Sequence, residues 1–179
     1  MVRDIKTDTF NWSIVRPSSI WGPWFKYSYK VFFKTIYKGY YFHIGKRVII
    51  KPNSFVGNTV YMMTCILFGK EEVNQKTFYI ADYPFITTRE WADMIQFKLG
   101  TKKIRTLPVW LLRIIGYAGD ILKVFGYEDP PFSSFRLKNM LTGGIYPLDN
   151  TKALCGTLPY TLEEGAAQTI AWMKEAGDI

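Results

Sequence analysis

The chain has 179 residues, of which 48% are hydrophobic and 17% aromatic, a composition that excludes wholesale disorder and suits one domain or a sizeable part of a larger protein. Its formal net charge of +8 favours an anionic partner such as nucleic acid, a membrane surface or a phosphorylated metabolite, although a merely solubilising surface is equally consistent with it. The basic residues are dispersed along the chain, which argues against a nucleic-acid-binding tail.

The first predicted elements are a strand, a helix and a second strand. Trp12–Arg16 is predicted to be a buried strand that ends at Pro17, because proline cannot donate a hydrogen bond to a β-ladder. Trp24–Lys38 carries apolar residues at three- and four-residue spacing, which predicts a helix with Gly39 as its stop. Lys46–Ile50 follows as a short strand or extended edge.

The middle of the chain predicts a helix, a strand and another helix. Thr59–Phe68 is apolar and suits a buried helix closed by Gly69. Lys76–Asp82 is the second clear strand candidate. Thr87–Gly100 is the best-punctuated helix, because it has a threonine cap, acidic residues early, a basic residue late and a terminal glycine.

The last third of the chain is predicted to be mainly helical. Pro108–Phe125 begins with a proline suited to a first helical turn, and the EDPPFSS stretch after it is predicted to be a loop. Short helices are expected at Ser134–Leu141 and Asp149–Leu154. Thr161–Ala176 is a final amphipathic helix with TLEE as its capping box. With no repeat or inner linker in the sequence, we treat residues 1–179 as one unit.

The cysteines and the apolar stretches indicate the cellular compartment of the protein. Cys65 and Cys155 lie far apart in apolar surroundings with no metal-ligand spacing, so buried thiols in a reducing compartment are expected. The N-terminal stretch has no signal-peptide apolar core. The longest apolar segment is interrupted by Arg113, Asp120 and Lys123, so no membrane span is predicted. Together these features predict a cytoplasmic protein.

Three segments in order carry a resemblance to a known family. They are WSIVRPSSIWGP, then FYIADYPFITTREWADMIQFKLG followed by LPVWLL, and finally YPLDNTKALCGTLPYTLEEGAAQTIAW. From about Asn11 onward, the chain resembles the C-terminal half of extended short-chain dehydrogenases/reductases, specifically the NAD(P)-dependent epimerase/dehydratase group that acts on nucleotide sugars. The resemblance implies an α/β fold: the C-terminal part of a Rossmann-type protein, with few strands and a mostly helical substrate domain.

The same resemblance implies positions for the site. Pro17, Ser18 and Ser19 would lie beside the nicotinamide end of the cofactor, since such sheets bind ligands at the carboxyl ends of their strands. Lys51 and Arg136 would face the substrate diphosphate, with lysine offering a point charge and arginine a planar fork. From the residues alone, an ordinary strand-to-helix turn, a solvated lysine and an exposed helix arginine remain open alternatives.

Two other positions qualify this assignment. Gly57 and Asn58 stand where relatives often have two acidic residues, so the hydrogen bonding there is expected to differ. His43 is the only histidine, and no partner signature lies near it in the sequence. We therefore predict that His43 is a packed or surface residue and not a catalytic base.

Two motifs that the family needs are absent from this sequence. It contains neither a Gly-x-x-Gly-x-x-Gly turn, which would bind the pyrophosphate, nor a Tyr-x-x-x-Lys pair, which would serve as acid and base. We therefore expect NAD or NADP only in an intact parent protein, with no cofactor, no catalytic residue and no oxidoreductase activity in this chain by itself. Unpaired strand edges predict self-association or pairing with a missing N-terminal half.

Two alternatives stay open beside the nucleotide-sugar interpretation. The apolar segment from Leu107 to Tyr127 would also suit a lid over a lipophilic substrate, as in a dehydrogenase or reductase of steroid- or flavonoid-like alcohols. A non-enzymatic module that binds an acidic partner or membrane lipid through its basic surface is the second alternative. Nucleic acid has little support as a partner, because basic and aromatic residues are not interleaved in a known pattern.

Overall fold

The computed structural model describes residues 10–25, 27–127, 130 and 132–179. Its strands are β1 (Ser13–Pro17), β2 (Ser19–Trp21), β3 (Phe42–Ile44), β4 (Asn53–Phe55), β5 (Lys76–Ile80) and β6 (Arg105–Leu107). Its α-helices are α1 (Ser28–Tyr37), α2 (Val56–Phe68), α3 (Thr88–Leu99), α4 (Val109–Val124), α5 (Ser134–Leu141), α6 (Asp149–Cys155) and α7 (Leu162–Glu175). The predicted α/β class, with short strands and mostly helices, is confirmed.

The chain divides into two compact units. The first contains the described residues up to Tyr29 together with Pro52–Phe85 and Ile145–Ile179. The second contains Lys30–Lys51 and Ile86–Gly144. Each unit is assembled from segments that are not consecutive in the chain, which explains why no linker in the sequence marks the division.

Short parallel strand pairs organise the first unit. β1 pairs with β5 in parallel, from Ser13 opposite Lys76 to Pro17 opposite Ile80. β2 pairs with β4 in parallel, and β4 leads directly into α2. Parallel pairing needs a long crossover, so both pairs join residues distant in sequence. The core beside β5 is formed by buried side chains of α2, β5 and α6 and of a short 3₁₀ helix: Met62, Ile66, Val73, Phe78, Ile80 and Cys155.

The second unit is built around β3, β6 and two packed helices. β3 pairs in parallel with β6, and the core beneath them contains Ile44, Leu112 and Leu137. α4 packs against α5 through glycines. A Cβ at Gly116 would lie 3.1 Å from the backbone nitrogen of Ser134, and a Cβ at Gly119 would overlap the carbonyl oxygen of Phe132. The sequence of α4 therefore permits a close approach to the segment that begins α5.

The helix punctuation predicted from the sequence is confirmed. Thr87 and Glu90 form a reciprocal capping box at the start of α3, and Thr161 and Glu164 form another at the start of α7. Gly100 ends α3 in the left-handed conformation, with φ +64°, which costs glycine little because it has no Cβ. The strands predicted at Trp12–Arg16 and Lys76–Asp82, and the helices predicted from Thr59 onward, correspond to β1, β5 and α2–α7, with ends that shift by up to three residues.

Two predicted elements are wrong in position. The helix predicted from Trp24 begins at Ser28, because Trp24 has φ +71° and lies in a turn. Lys46–Ile50 is not a strand. Its one ladder contact is the isolated antiparallel bridge between Ile50 and Thr87, and the strand in this region is β3 instead. Part of the predicted EDPPFSS loop, including Glu128, lies outside the described residues.

Candidate functional site

Pro17, Ser18 and Ser19 lie together where β1 ends and β2 begins, at the carboxyl end of the β1–β5 pair. The Ser18 backbone N–H donates to the Ile80 carbonyl at 2.8 Å and so extends the parallel ladder past Pro17. Ligands bind at the carboxyl ends of parallel strands in open α/β sheets. These residues therefore lie at a strand end of the kind where such sheets bind ligands, and their contact with a cofactor stays a prediction.

Some of the polar groups of Pro17, Ser18 and Ser19 are already used within the chain. Pro17 has no N–H, the Ser18 N–H is used by Ile80, and the Ser19 hydroxyl is hydrogen-bonded to the Tyr29 side chain. The Ser18 hydroxyl is buried and has no hydrogen-bond partner among the described residues. A buried hydroxyl without a partner costs about 1–3 kcal/mol. The Ser18 hydroxyl could therefore make one polar contact with a ligand.

Asp82 is a partly buried carboxylate that no sequence pattern selected. It follows β5, and its backbone N–H donates to the Asn53 carbonyl at 2.9 Å. Its Oδ2 accepts from the Phe55 backbone N–H at 2.8 Å, at the N-cap of α2. Its Oδ1 accepts from the Ser54 hydroxyl and the Asn58 amide, each at 3.1 Å. One carboxylate thus joins the carboxyl end of β5 to β4 and to the start of α2.

The surroundings of Asp82 change its protonation. Burial raises its pKa from 3.8 to about 6, while the hydrogen bonds from Phe55, Asn58 and Ser54 act in the opposite direction. Such a carboxyl group changes charge near neutral pH, which is unusual for aspartate. No local sequence signal marks it, because the donors come from a segment 24 to 28 residues earlier in the chain.

Asn58 makes three hydrogen bonds at a position where the resemblance implies an acidic residue. Its side-chain amide donates to Asp82 and to the Tyr160 carbonyl at 3.0 Å, and its Oδ1 accepts from the Tyr160 N–H at 3.1 Å. An acidic side chain here could not donate to Asp82 and would place two carboxylates together. Asn58 therefore satisfies Asp82 and ties α2 to the loop before α7.

Lys51 and Arg136, the residues predicted to contact a diphosphate, both lie in the second unit. Lys51 Nζ donates to the Asn139 carbonyl on α5 at 2.7 Å, and burial around the ammonium lowers its pKa. Arg136 lies in the first turn of the same helix, where its N–H donates to the Ser133 hydroxyl that caps α5. Residues 136 and 139 are one helical turn apart. The structure therefore associates both basic residues with α5, although they are 85 positions apart in the sequence.

His43 is buried, as the packed alternative predicted. Its Nε2 lies 2.8 Å from Asp93 Oδ1, and the Tyr41 ring packs edge-on against the imidazole at 5.7 Å. Burial raises the pKa of Tyr41 to about 12, with Arg89 opposing that change and Asp93 adding to it. Asp93 is missing from the sequence prediction because it lies 50 residues away in the chain.

The described residues offer neither a metal site nor a membrane-spanning helix. They contain no group of three or more His, Cys, Asp or Glu side chains placed to hold a metal ion. Within the same part of the chain, no helix has the length and apolar character needed to cross a membrane.

No protein-family model matches the chain, and no curated protein matches it in sequence. Solved structures do match it. The human epimerase family protein SDR39U1, solved with NADPH, is 15% identical over 93% of this chain and 50% of its own, with a TM-score of 0.68. UDP-glucose 4-epimerase of Thermotoga maritima, solved with UDP-glucose, is 15% identical over 93% of this chain and 47% of its own, with a TM-score of 0.59.

A third match is UDP-glucuronic acid 4-epimerase of Bacillus cereus, solved with UDP-glucuronic acid and NAD. It is 11% identical over 92% of this chain and 45% of its own, with a TM-score of 0.59. The chain therefore spans about half the length of the solved structures it matches. At these identities the likeness establishes the fold. The resemblance to epimerases and dehydratases inferred from the sequence is confirmed at that level.

Proposed function

We propose that this chain is the substrate-binding portion of an NAD(P)-dependent nucleotide-sugar epimerase or dehydratase and that it is inactive by itself. The observation that carries the proposal is the half-length likeness to solved epimerases, together with the sequence segments that resemble the same family in the same order. The likeness in fold exists at 15% sequence identity.

The chain's own groups support a division of roles. The Ser18 hydroxyl, buried without a partner among the described residues, would bind the nicotinamide end of the cofactor. Lys51 and Arg136 would bind the diphosphate of the sugar nucleotide from α5 and its neighbouring segment. When bound, NAD(P) supplies hydride transfer. The acid and base would come from another part of the complete enzyme, since this sequence has no Tyr-x-x-x-Lys pair.

The β1 edge supports a need for additional strands. Among the described residues, β1 pairs with β5 alone, so its second edge is open. A two-stranded sheet is marginal in isolation, and an open edge is a template for another strand. We infer that a complementary N-terminal half, or a second copy when that half is absent, pairs with β1. The cytoplasmic location stays a prediction.

Ligand binding to the chain tests the substrate class. Saturation-transfer NMR with UDP-glucose and UDP-glucuronic acid is expected to give signals for the uridine and diphosphate-bearing portions in the millimolar range. Lys51→Met and Arg136→Met are each expected to weaken binding about 5-fold to 20-fold, because each removes a charge-assisted contact. Lys102→Met, on an exposed loop residue, is the matched control and is expected to leave binding unchanged.

Two results would contradict the proposal. The first is binding of a sterol in place of both sugar nucleotides, which would favour the alcohol reductase alternative. The second is low-micromolar binding of NADH or NADPH to the chain alone by calorimetry, because the Ser18 segment offers the cofactor a single contact. A cofactor site of that affinity would need phosphate-binding groups that this sequence does not supply in any recognised motif.

A further inference from the structure

Helix α4 has a row of large apolar side chains on its outer face. They recur at spacings of three or four residues, which places them along one side of the helix. Each is between 57% and 83% exposed. We call this row the outer stripe; its members are Trp110, Ile114, Tyr117 and Ile121 on α4 and Phe125, which directly follows the last residue of the helix.

The opposite side of α4 already has its packing partner. Leu112, Gly116 and Gly119 are buried, and the two glycines contact the segment that begins α5. The helix therefore cannot bury the outer stripe by turning over without giving up that contact. Five side chains of this size, more than half exposed, present on the order of 500 Å² of apolar surface, which is the size at which a patch usually has a role.

The charge of the chain is concentrated in the unit that carries the outer stripe. Residues 30–51 and 86–144 contain 15 Lys or Arg and 5 Asp or Glu, a net charge of +10. The remaining residues contain 8 Lys or Arg and 10 Asp or Glu, a net charge of −2. The overall charge of +8 thus comes entirely from the unit that contains α4.

Exposed basic side chains lie at both ends of α4. Arg113 and Lys123 are on the helix itself; Arg113 is three residues after Trp110 and borders the outer stripe, whereas Lys123 is four residues after Gly119 and lies towards the packed side. Lys46 and Arg47 follow Gly45, whose N–H donates to the Leu107 carbonyl just before the helix begins. An apolar row with flanking lysine and arginine is the arrangement by which a helix lies in the interface of an anionic bilayer. Tryptophan and tyrosine suit the same depth, because their rings are apolar and their N–H and O–H groups are polar.

We propose that the outer stripe of α4 docks on an anionic lipid surface, with the helix lying in the plane of the interface. This inference does not depend on the proposed enzymatic function. The charge distribution favours it over a second copy of the chain, because pairing two α4 helices would bring together two units of net charge +10. The apolar row favours lipid over nucleic acid, because the phosphate backbone of a nucleic acid would not bury five apolar side chains.

Vesicle binding tests the proposal on the full chain. Co-sedimentation is measured with phosphatidylcholine vesicles containing about 30% phosphatidylserine and with phosphatidylcholine alone, at low and high salt. We expect binding to the anionic vesicles to be at least about tenfold stronger than to the neutral ones, and to fall as salt rises. The variant Arg113→Gln removes the charge that borders the outer stripe and is expected to bind the anionic vesicles about fivefold more weakly.

The apolar contribution has a matched control within the chain. Ile114→Asn with Ile121→Asn changes two exposed stripe residues seven positions apart, and binding is expected to fall at least about tenfold. Val60→Asn with Leu67→Asn makes the same change on α2, at the same spacing and comparable exposure, in the unit of net charge −2. That control is expected to bind like the unaltered chain. Circular dichroism checks that both variants keep their helices.

Three outcomes would overturn the proposal. One is failure of the unaltered chain to bind anionic vesicles at low salt. Another is binding that the stripe variant and the α2 control reduce equally. The third is a dimer, detected by light scattering, that dissociates in the stripe variant while vesicle binding is absent, since a second copy would then be the occupant of the stripe.

Discussion

The substitution Asp82→Asn removes the charge of the partly buried carboxyl group and keeps a side chain of nearly the same shape. In the native chain, Oδ1 accepts from Ser54 and Asn58, and Oδ2 accepts from the Phe55 N–H. Asparagine keeps one oxygen for the first two donors and places an amide group opposite the Phe55 N–H. The variant therefore loses one hydrogen bond, at about 1–3 kcal/mol, and at the same time no longer has a charge to bury.

The sign of the pH effect follows from the direction of the pKa change. Because the folded-state pKa of Asp82 is about 6 and the ordinary value is 3.8, the folded chain holds this proton more tightly than the unfolded chain. Below pH 3.8 both states are protonated and the group contributes no difference. As pH rises from 3.8 through about 6, the folded chain keeps a proton that the unfolded chain has lost. The free energy of unfolding therefore falls, by a total of about 3 kcal/mol at pH 7. The neutral asparagine does not contribute this loss.

Urea denaturation at intervals from pH 4 to pH 7 measures the effect. We expect the free energy of unfolding of Asp82→Asn, minus that of the native chain, to rise by about 2.4 kcal/mol from pH 4 to pH 7. The subtraction removes the other titrating groups, such as Glu90 and Glu164, whose pKa values are lowered by hydrogen bonds from their helix caps. Asp149→Asn, at an exposed position in α6, is the control. Parallel curves for Asp82→Asn and the native chain would refute the burial argument.

Three further predictions concern packing, capping and thiol chemistry. Gly119→Ala should destabilise the chain by about 1–3 kcal/mol in urea, because its Cβ would overlap backbone, whereas Gly144→Ala meets open space and should have little effect. Thr161→Ala removes a capping box and should cost about 1 kcal/mol in a thermal melt. Burial, with Cys65 nearby, raises the pKa of Cys155 to about 12. Iodoacetamide at pH 8 should therefore modify Cys65 before Cys155, as measured by peptide mapping. Equal rates of modification of the two cysteines in the absence of urea would contradict this.

Local sequence patterns were sufficient for most helices. The capping boxes at Thr87 and Thr161 and the terminal Gly100 act within four residues of the helix they punctuate, so the sequence displays them directly. The misplaced strand at Lys46–Ile50 shows the limit of such patterns. β3 forms instead at Phe42–Ile44 because its partner β6 lies about 60 residues later, and no local pattern identifies that pairing.

The sequence likewise predicted only part of the candidate site. The strand that ends before Ser18 and the resemblance carried by the segments around it were readable from the sequence. The hydrogen-bonded cluster of Asp82 and Asn58, and the contact of Lys51 with α5, join residues 24 and 88 positions apart. Such contacts form only when parallel crossovers and helix packing bring distant segments together, so their partners cannot be assigned from periodicity.

By itself, the amino-acid sequence determined the α/β class, the helix boundaries set by caps, and the overall excess of basic residues. The tertiary structure alone decided that this excess belongs to one unit, that α4 directs its outer stripe to solvent, and that Asp82 is partly buried among hydrogen-bond donors. The physical reason is the distance along the chain over which each interaction acts. Capping and helical periodicity act over one or two turns, whereas burial and charge asymmetry depend on which distant segments fold against each other.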